Sequence, residues 1–455
     1  MAGVVAGVGI AGAYRGVYTP RGPGAPAAPI DKAPVPTHDP AKPTVVILVG
    51  PEGANAADVL APYEVFAATG AFNLYTVAPE RQPVPLTGNL DLVPDLSLAQ
   101  LDQRLPGGPE VIVVPQLTEV AAGVPASLDP VIAWLQRQRA QSDPLLLSVC
   151  VGAQVVAEAG LLEGRPATSH WLGLIGLRRN YPQLDWREGV SYIDDGDLIS
   201  TAGVLYGIDG ALRVIERTLG QAAAQRAARA VQWPAYSPGR PTPIQRFGLA
   251  PPDVVGLLSA GYRWDRPRMG VLLTDGVTET ELASVFRPYT ELSYLARPLA
   301  VTTDGQPIRS RHGLTFLPRA TLATAAPELD RLVVPGADAA RRAAADGLAL
   351  PEGLAPVYLH RQPGFAFDAA LADIAGSRDA ATARWVAKTL QYPTRPQLAG
   401  PAWPWTLTLR PILIAAAAIA AVLGARFLGR RRRSASASTA QVPDRGVDRD
   451  AQEIG

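Results

Sequence analysis

The stretch "LLLSVCVGAQVVAEAGLLEGRPATSHW", residues 145–171, decides the fold of this chain. An apolar run of strand length ends at Cys150, and a helical pattern begins at Gly152. A strand that passes so directly into a helix needs a sharp turn, which the small Ser148 allows and for which Gly152 gives clearance. Cys150 is the only cysteine among the 455 residues. We therefore interpret Cys150 as a nucleophile on a strand–turn–helix elbow.

The surroundings of Cys150 suit a reactive thiol better than a structural one. Buried free cysteines are common in protein cores, but a core cysteine does not need a glycine two residues later. The start of the following helix presents unpaired N–H groups and partial positive charge, which favour the thiolate and can hold a developing oxyanion. We expect the Val151 N–H to be one oxyanion donor, and the pKa of Cys150 to be low enough for partial ionisation at neutral pH.

Strand and helix patterns alternate on both sides of this stretch. Strands are predicted within 44–50, 72–80, 110–116 and 144–150, and helices over 55–70, 129–141, 152–164, 207–220 and 221–233. Short, wholly apolar strands that alternate with helices are typical of a parallel sheet covered on both faces. The fold class is therefore α/β, with a first domain over residues 43–234 and a linker over 235–265.

The rest of the chain repeats landmarks of the first domain. "TGNLDLVPDLSLA" (87–99) matches "RHGLTFLPRATLA" (311–323), and "GIDGALRVI" (207–215) matches "AFDAALADI" (366–374). The apolar runs that end at Pro115 and Pro335 are offset by 220 residues, whereas the later match is offset by 159. The second half therefore lacks 61 residues between these two landmarks. The missing residues are those that carry Cys150 and His170. We predict a degenerate second copy over 266–395, with no elbow and no polar cluster where the first copy holds Cys150.

Both ends of the chain have the composition of membrane or targeting segments. Residues 1–18 are predicted to be the remnant of a signal or anchor helix, and the alternative is an unstructured apolar terminus. Residues 19–42 form a Pro-rich spacer. Residues 403–429 read as a transmembrane helix, with Trp403 and Trp405 at one end and the basic run 430–433 after the other. We expect residues 430–455 to be a disordered cytoplasmic tail, which puts the globular domains outside the cytoplasm.

Composition narrows the partners and cofactors. With 42 basic and 41 acidic residues, there is no electrostatic case for a nucleic-acid partner. A single cysteine excludes an internal disulfide, and four histidines with none at i, i+4 spacing argue against a structural zinc site. We expect no metal and no other cofactor. The expected partners are a small-molecule ligand or substrate and the membrane.

The run from Cys150 onward resembles the signature of the ThiJ/PfpI superfamily, the DJ-one or class I glutamine amidotransferase-like group. It is most similar to the branch shared by isonitrile hydratases and the amidase-like domains of AraC-type regulators. In that branch an "A-G-L-L-x-G-x-x-A-T-x-H-W" run follows the elbow cysteine, as it does here from Ala159 to Trp171. "DVLAPYEVF" extends the resemblance, with Asp58 at the acidic position four residues before a proline. The resemblance covers the first domain and implies a flavodoxin-like three-layer sandwich.

The resemblance also implies a set of site residues. It implies that Cys150 lies at the mouth of the sheet, that Asp58 approaches the sulfur as a partly protonated acid, and that His170 lies nearby on the strand after the elbow helix. The residues alone leave open that Asp58 is only a first-turn residue stabilised by the helix dipole, and that His170 is a histidine with satisfied hydrogen bonds beside Trp171. Because many members of the superfamily dimerise, the resemblance implies a homo-oligomer or an intramolecular pseudo-dimer.

The chain departs from the pattern of the family at two places. Val151 stands where isonitrile hydratases have threonine and the regulators often have serine. The loop Pro115–Gln116–Leu117 stands in place of Pro-Gly-Gly, so Leu117 takes the position of the second oxyanion donor. Both departures weaken the case for hydratase chemistry.

Three functions remain open from the sequence. The first is a cysteine-dependent enzyme of hydratase or amidohydrolase type that acts on a small molecule. The second is a ligand- or redox-sensing module in which Cys150 binds or is oxidised without turnover. The third is a domain of the transcription-regulator type without its DNA-binding part. It ranks last, because a linker and the second copy occupy the place where a helix-turn-helix would follow.

Overall fold

The structure is a computed structural model that describes residues 2–15, 17–18, 33–117, 123–346, 354–394 and 396–439. The strands of the first domain are β1 Thr44–Leu48, β2 Asn73–Ala78, β3 Val84–Leu86, β4 Leu90–Val93, β5 Leu96–Ser97, β6 Val111–Val114, β7 Leu145–Ser148, β8 Pro166–Ala167, β9 Asp185–Trp186, β10 Tyr192–Asp194 and β11 Leu198–Thr201. An N-terminal helix, α1 Ala2–Arg15, precedes them. The helices of the domain are α2 Ala56–Ala67, α3 Leu98–Arg104, α4 Asp129–Gln141, α5 Ala153–Glu158, α6 Trp171–Asn180, α7 Gly207–Leu219 and α8 Gln221–Ala230.

The second half of the chain has the same kinds of element. Its strands are β12 Arg268–Leu272, β13 Arg297–Thr302, β14 Ile308–Arg309, β15 Thr315–Leu317, β16 Ala320–Thr321, β17 Arg331–Val334 and β18 Pro356–Tyr358. Its helices are α9 Val254–Tyr262, α10 Glu279–Phe286, α11 Leu322–Ala325, α12 Ala337–Asp346, α13 Ala366–Ser377, α14 Ala380–Thr389 and α15 Trp405–Thr439.

The first domain is built on a seven-stranded sheet in the order β10-β11-β7-β6-β1-β2-β5. All neighbouring strands are parallel except β10 and β11, which are antiparallel. Every residue of β1, β2 and β6 is buried, as expected for strands covered on both faces. The predicted α/β class with a parallel sheet is therefore confirmed.

The second domain is built on a five-stranded parallel sheet in the order β16-β13-β12-β17-β18. Its central strand β12 lies between β13 and β17, as β1 lies between β2 and β6. A helix with a side-chain cap follows each central strand: Asn55 caps α2, and Thr278 caps α10. The order β5-β2-β1-β6-β7 in the first sheet thus has the same pattern as the order β16-β13-β12-β17-β18 in the second.

A third sheet, in the order β14-β15-β4-β3, joins the two domains. In it β4 of the first domain pairs antiparallel with β15 of the second, with Leu92 opposite Phe316. Arg319 donates two hydrogen bonds, of 2.9 and 2.7 Å, to the carboxylate of Asp91 across this junction. The helices α2 and α10 also pack on each other. The two domains therefore form a continuous body with a buried interface.

Apolar helices from both ends of the chain meet at α9. Gly9 of α1 lies so close to Gly261 of α9 that a Cβ at Gly9 would be 2.2 Å from the Gly261 carbonyl oxygen. The side chain of Arg410 in α15 binds Asp265 with two hydrogen bonds of 2.7 and 2.6 Å. Trp405–Leu428 is long and apolar enough to cross a membrane, and of its large apolar side chains Leu407 is buried, whereas Trp405, Leu413, Ile419 and Phe427 are exposed.

The structure corrects three boundaries of the sequence analysis. The predicted linker 235–265 contains the helix α9, whose run "VVGLLSAGY" has enough apolar residues to pack against the terminal helices. The elbow helix ends at Glu158 rather than at Gly164, because Gly160 takes a left-handed backbone with φ 76°. The C-terminal helix continues to Thr439, so the expectation of disorder from residue 430 is wrong as far as 439, and 440–455 lie outside the described residues.

Candidate active site

Three segments that follow neighbouring parallel strands converge at the carboxyl edge of the first sheet. Asp58 lies in the first turn of α2 after β1, Gln116 follows β6, and Cys150 follows β7. The chain moves from β1 to β2 on one side and later to β6 on the other, so the crevice between β1 and β6 is the topological switch point of the sheet. Ligands of open α/β sheets bind at such points.

The turn at Cys150 is tight and strained. Cys150 has φ 57°, a left-handed backbone that non-glycine residues rarely adopt and that costs of order 1–3 kcal/mol. A Cβ at Gly152 would lie 2.0 Å from the carbonyl oxygen of Val114, so only glycine fits there. The Cys150 N–H donates to Thr201 Oγ1 at 3.4 Å, and Ser169 Oγ donates to the Cys150 carbonyl at 2.6 Å. These contacts hold the thiol above the end of β7.

Asp58 is fully buried beside the thiol. Its Oδ2 accepts a hydrogen bond from the Gln116 N–H at 3.2 Å, whereas Oδ1 has no hydrogen-bond partner among the described residues. Burial raises the pKa of Asp58 well above its usual value, and the negative charge of Glu291 raises it further. The acid is therefore favoured in its neutral form, with one oxygen free to act on a bound molecule.

The thiol of Cys150 is also favoured in its neutral form. Burial is the main cause that raises its pKa well above the usual value, and the charges of Asp58 and Glu291 raise it further. The Val151 N–H donates to the sulfur and lowers the pKa, as a helix start was expected to do, but this effect is smaller. Our expectation of a partly ionised Cys150 is therefore wrong, because burial and acidic neighbours outweigh the turn N–H.

Gln116 and the second domain complete the polar shell of the thiol. The Cys150 sulfur lies 3.8 Å from Gln116 Oε1, and the other end of this amide, Nε2, donates to Glu291 at 2.8 Å. Glu291 follows α10 and forms a buried ion pair with Arg287 at 3.0 Å. Sequence reasoning missed Glu291 and Arg287, since no local pattern shows a contact made across 175 residues of chain.

The N-terminal segment lies against the same site. The Val17 carbonyl accepts from the Gly88 N–H at 2.9 Å, and the ring of Tyr18 packs so closely on Gly53 that a Cβ there would lie 2.8 Å from Tyr18 Cδ1. Burial of the phenol and the negative charges of Glu291, Asp58 and Cys150 raise the pKa of Tyr18. Tyr18 as a whole is partly exposed. Its phenol end thus faces the site while the rest of the residue reaches the surface.

His170 lies elsewhere than the resemblance implied. It is not on a strand but immediately before α6, and its Nε2 bonds to the carbonyl of Thr389, in the second domain, at 2.9 Å. Burial lowers its pKa to about 4, so the ring is neutral at physiological pH. The structure gives His170 a contact between domains and shows no hydrogen bond from its ring to Cys150 in the part of the chain it describes. The alternative of a satisfied histidine therefore fits its geometry.

The two expected oxyanion donors, Val151 and Leu117, lie in different positions relative to the Cys150 sulfur. The Val151 N–H points at the sulfur of Cys150. Leu117 is buried at the end of the loop after β6, with its carbonyl oxygen 3.2 Å from the position that a Cβ on Gly50 would occupy. The residues that follow, 118–122, lie outside the description. One backbone donor is thus in place at the sulfur.

The second domain holds a polar cluster at the matching edge of its own sheet. His360 lies two residues after β18, as Cys150 lies two residues after β7. Glu281 lies three residues after the cap of α10 and accepts from the Ala337 N–H at 2.7 Å, as Asp58 accepts from the loop after β6. The expectation that this place has no polar cluster is therefore wrong.

The hydrogen bonds of His360 explain why this cluster is structural. Its Nδ1 accepts from the Gly336 N–H at 3.0 Å, and its Nε2 lies 3.2 Å from the Ala366 carbonyl and 3.1 Å from Ser284 Oγ. Both ring nitrogens are thus satisfied inside the protein, and burial lowers the pKa of the ring. Within the described ranges, no group of three or more His, Cys, Asp or Glu residues is placed to hold a metal ion.

Comparison with known proteins shows which family the first domain resembles. The model of the DJ-1/PfpI family matches residues 43–217. The chain belongs to the DJ-1/PfpI family. An isonitrile hydratase of Pseudomonas putida is 29% identical over 201 residues, which cover 44% of this chain and 81% of that protein.

Two further proteins are similar to parts of this chain. The HTH-type transcriptional regulator CdhR of Pseudomonas aeruginosa is 30% identical over 149 residues, 33% of this chain, and the match spans only 41% of the regulator. The crystal structure of Drosophila melanogaster DJ-1beta covers 42% of this chain and 97% of its own, with 21% identity and a TM-score of 0.37. These matches cover less than half of the present chain.

Proposed function

We propose that the first domain is an enzyme of isonitrile hydratase type, which adds water to the electrophilic carbon of a small neutral molecule. Cys150 is the nucleophile, and Asp58 is the acid and base. The observation that carries the proposal is that Asp58 and Cys150 lie buried together, where burial raises the pKa of each, with Asp58 Oδ1 unpartnered among the described residues. The similarity to the Pseudomonas putida hydratase supports the same chemistry.

The reaction balances without a thiolate. The protonated carboxyl of Asp58 gives its proton to the terminal carbon of an isonitrile, and the Cys150 sulfur bonds to that same carbon. The thiol proton passes to the Asp58 carboxylate, so the S–H bond has added across the carbon and Asp58 is neutral again. Water then adds to the carbon and the C–S bond breaks, which releases a formamide and restores the thiol.

The site suits this substrate class better than an amide. Attack on an amide places negative charge on oxygen and needs strong oxyanion donors. Here the Val151 N–H points at the sulfur, and the side chains of Gln116 and Leu117 fill the loop in which relatives have two glycines. An isonitrile gains a proton first and develops no anion. This order of events tolerates both a raised thiol pKa and a loop without glycine.

The proposal is tested by incubating the detergent-solubilised full-length protein with a panel of alkyl and aryl isonitriles and amides, followed by NMR detection of products. We expect formamide from the isonitriles, loss of turnover in Cys150→Ala, and a loss of about 10²-fold or more in Asp58→Asn. His170→Gln is the matched control, since this buried ring binds Thr389 rather than the thiol. Equal turnover in wild type and Cys150→Ala would contradict the proposal.

A ligand- or redox-sensing role is the second candidate, and one observation favours it. The phenol of Tyr18, from the segment that follows the apolar helix α1, lies against the site. A molecule that enters must displace or share space with this segment, which is connected to a helix packed beside α15. Stoichiometric modification of Cys150 without multiple turnover in the same panel would support sensing over catalysis. The regulator-like alternative draws support only from the partial match to CdhR.

We further propose that residues 266–395 are a degenerate second copy that acts as an internal dimer partner. The matched strand order supports this, as does the pairing of Leu92 with Phe316, two residues that the sequence offset of 224 also matches. A strand that pairs with its own equivalent lies on a pseudo-two-fold axis. The internal partner predicts a monomer in detergent, measured by light scattering.

The membrane topology is also a proposal. Trp405–Leu428 supplies the span, and the basic run 430–433 directly after it supports a cytoplasmic tail and globular domains on the opposite side. Protease treatment of intact cells tests this orientation. Domains that survive digestion in intact cells and are cut only after lysis would reverse it.

A further inference from the structure

We propose that Glu291, a residue of the second domain, is a positioning residue for the Cys150 site, which it controls by fixing the amide of Gln116 and the cap of the helix that carries Asp58. The proposal deepens the proposed function, on which it rests for its effect on turnover. Its geometry stands independently of the substrate.

One carboxylate of the second domain binds two amides of the first. Glu291 Oε1 accepts from Gln116 Nε2 at 2.8 Å, and Oε2 accepts from Asn55 Nδ2 at 2.7 Å. The Arg287 guanidinium lies 3.0 Å from Oε2 and also donates to the Glu291 backbone carbonyl at 2.6 Å. All four side chains are buried, so the carboxylate is held on three sides away from solvent.

The bond to Gln116 decides which end of this amide meets the thiol. A carboxylate accepts hydrogen bonds only, so it selects the Nε2 end of the amide. The Oε1 end is thereby turned to the Cys150 sulfur, 3.8 Å away, where it accepts from the thiol. Without Glu291 the amide is free to rotate and present its N–H groups, which would stabilise a thiolate instead.

The bond to Asn55 acts on the acid. Asn55 Oδ1 caps α2 through the N–H groups of Ala57 and Asp58, at 3.0 and 3.3 Å. Because Glu291 holds the Nδ2 end of the same amide, the capping oxygen has to face the helix. The second domain thus orients both the nucleophile's acceptor and the first turn that carries the acid.

The charges around the thiol predict the direction of the effect. Asp58 faces Cys150 from α2, Glu291 and Arg287 face it from the segment after α10, and Tyr18 faces it from the N-terminal segment. Removing the charge of Glu291 and freeing the Gln116 amide both favour the thiolate. Cys150 in Glu291→Gln should therefore ionise at lower pH than in the wild type.

The test is the rate of Cys150 alkylation by a small haloacetamide against pH, in the full-length protein in detergent. Because Cys150 is the only cysteine, the reaction reports this site alone. We expect the midpoint of Glu291→Gln to fall by about one pH unit, seen as about tenfold faster alkylation below the midpoint. The shift should shrink in a Gln116→Met background, because the amide through which Glu291 acts is absent.

Two outcomes overturn the proposal. One is an unchanged midpoint in a folded Glu291→Gln protein, and the other is an equal shift in the presence and absence of Gln116. If Glu291→Gln does not fold, Glu291→Asp replaces it: this variant keeps the charge but is one methylene too short to reach both amides, and a midpoint equal to that of the wild type would again refute the role. Alkylation needs no substrate. A failure to hydrate isonitriles would therefore contradict the proposed function without affecting the alkylation result for Glu291.

Discussion

Replacing Gly152 with alanine tests the geometry of the elbow. The added Cβ would lie 2.0 Å from the Val114 carbonyl oxygen, although real Cβ atoms essentially never approach another atom within 3.0 Å. The chain has to give way by about 1 Å, and the obstacle is the backbone of a central strand rather than a flexible side chain. The same carbonyl accepts from the Val149 N–H at 2.9 Å, so the shift also strains that hydrogen bond.

The cost follows from these two contacts. Overpacking of a rigid site costs about 1–3 kcal/mol, and a weakened buried hydrogen bond adds about 0.5–1.5 kcal/mol. We expect Gly152→Ala to destabilise the protein by about 2–4 kcal/mol. At roughly 2–4 °C per kcal/mol, the melting temperature of the first domain should fall by about 5–15 °C.

The assay combines thermal unfolding with Cys150 alkylation. Gly107→Ala is the matched control, because a Cβ at Gly107 would meet nothing within 4 Å and the residue has no left-handed backbone. Gly152→Ala should melt well below this control and alkylate at a different rate, since Cys150 lies in the same turn. If both variants melt together and react alike, the close approach at Gly152 does not shape the elbow.

Three further predictions concern the surroundings of the site. Tyr18→Ala should speed alkylation of Cys150 by a bulky maleimide more than by iodoacetamide, and equal acceleration by the two reagents would contradict a steric role. Burial, and then the charge of Glu279, raise the pKa of Glu64 to about 7. The fold is therefore most stable while Glu64 is neutral, and this contribution to stability is lost as pH rises from about 4.5 to 7. Glu64→Gln should flatten the stability curve in this window, whereas an unchanged slope in urea titrations would refute it. Arg319→Met leaves the buried Asp91 without this partner and should cost about 3–5 kcal/mol, whereas Arg319→Met with Asp91→Asn should cost less.

Local patterns in the sequence predicted the elements that form the site. The strand before Cys150 depends on an apolar run of adjacent residues, and the glycine that clears the Val114 carbonyl depends on a turn that only small residues allow. The α/β class follows from the same short-range periodicity. The helix α9 was missed because its apolar run is short and lies between proline-rich segments.

The polar environment of the thiol was not predictable in the same way. The ionisation of Cys150 depends on its burial and on Glu291, and His170 finds its partner 219 residues later at Thr389. Tyr18 approaches the site from beyond a spacer that carries no periodic pattern. Each of these contacts is fixed by how the two domains pack, which a single sequence without relatives does not encode in any local motif.

The most direct test of the central claim is the mass of the covalent adduct on Cys150. The full-length protein is mixed with an excess of isonitrile, quenched with acid within milliseconds to seconds, and analysed by intact mass spectrometry and peptide mapping. Because the S–H bond adds across the carbon and nothing leaves, the account predicts an increase equal to the whole mass of the isonitrile, on the peptide that contains Cys150 and absent from Cys150→Ala. Formamide production without such an adduct, or an adduct that persists in Cys150→Ala, would contradict the account.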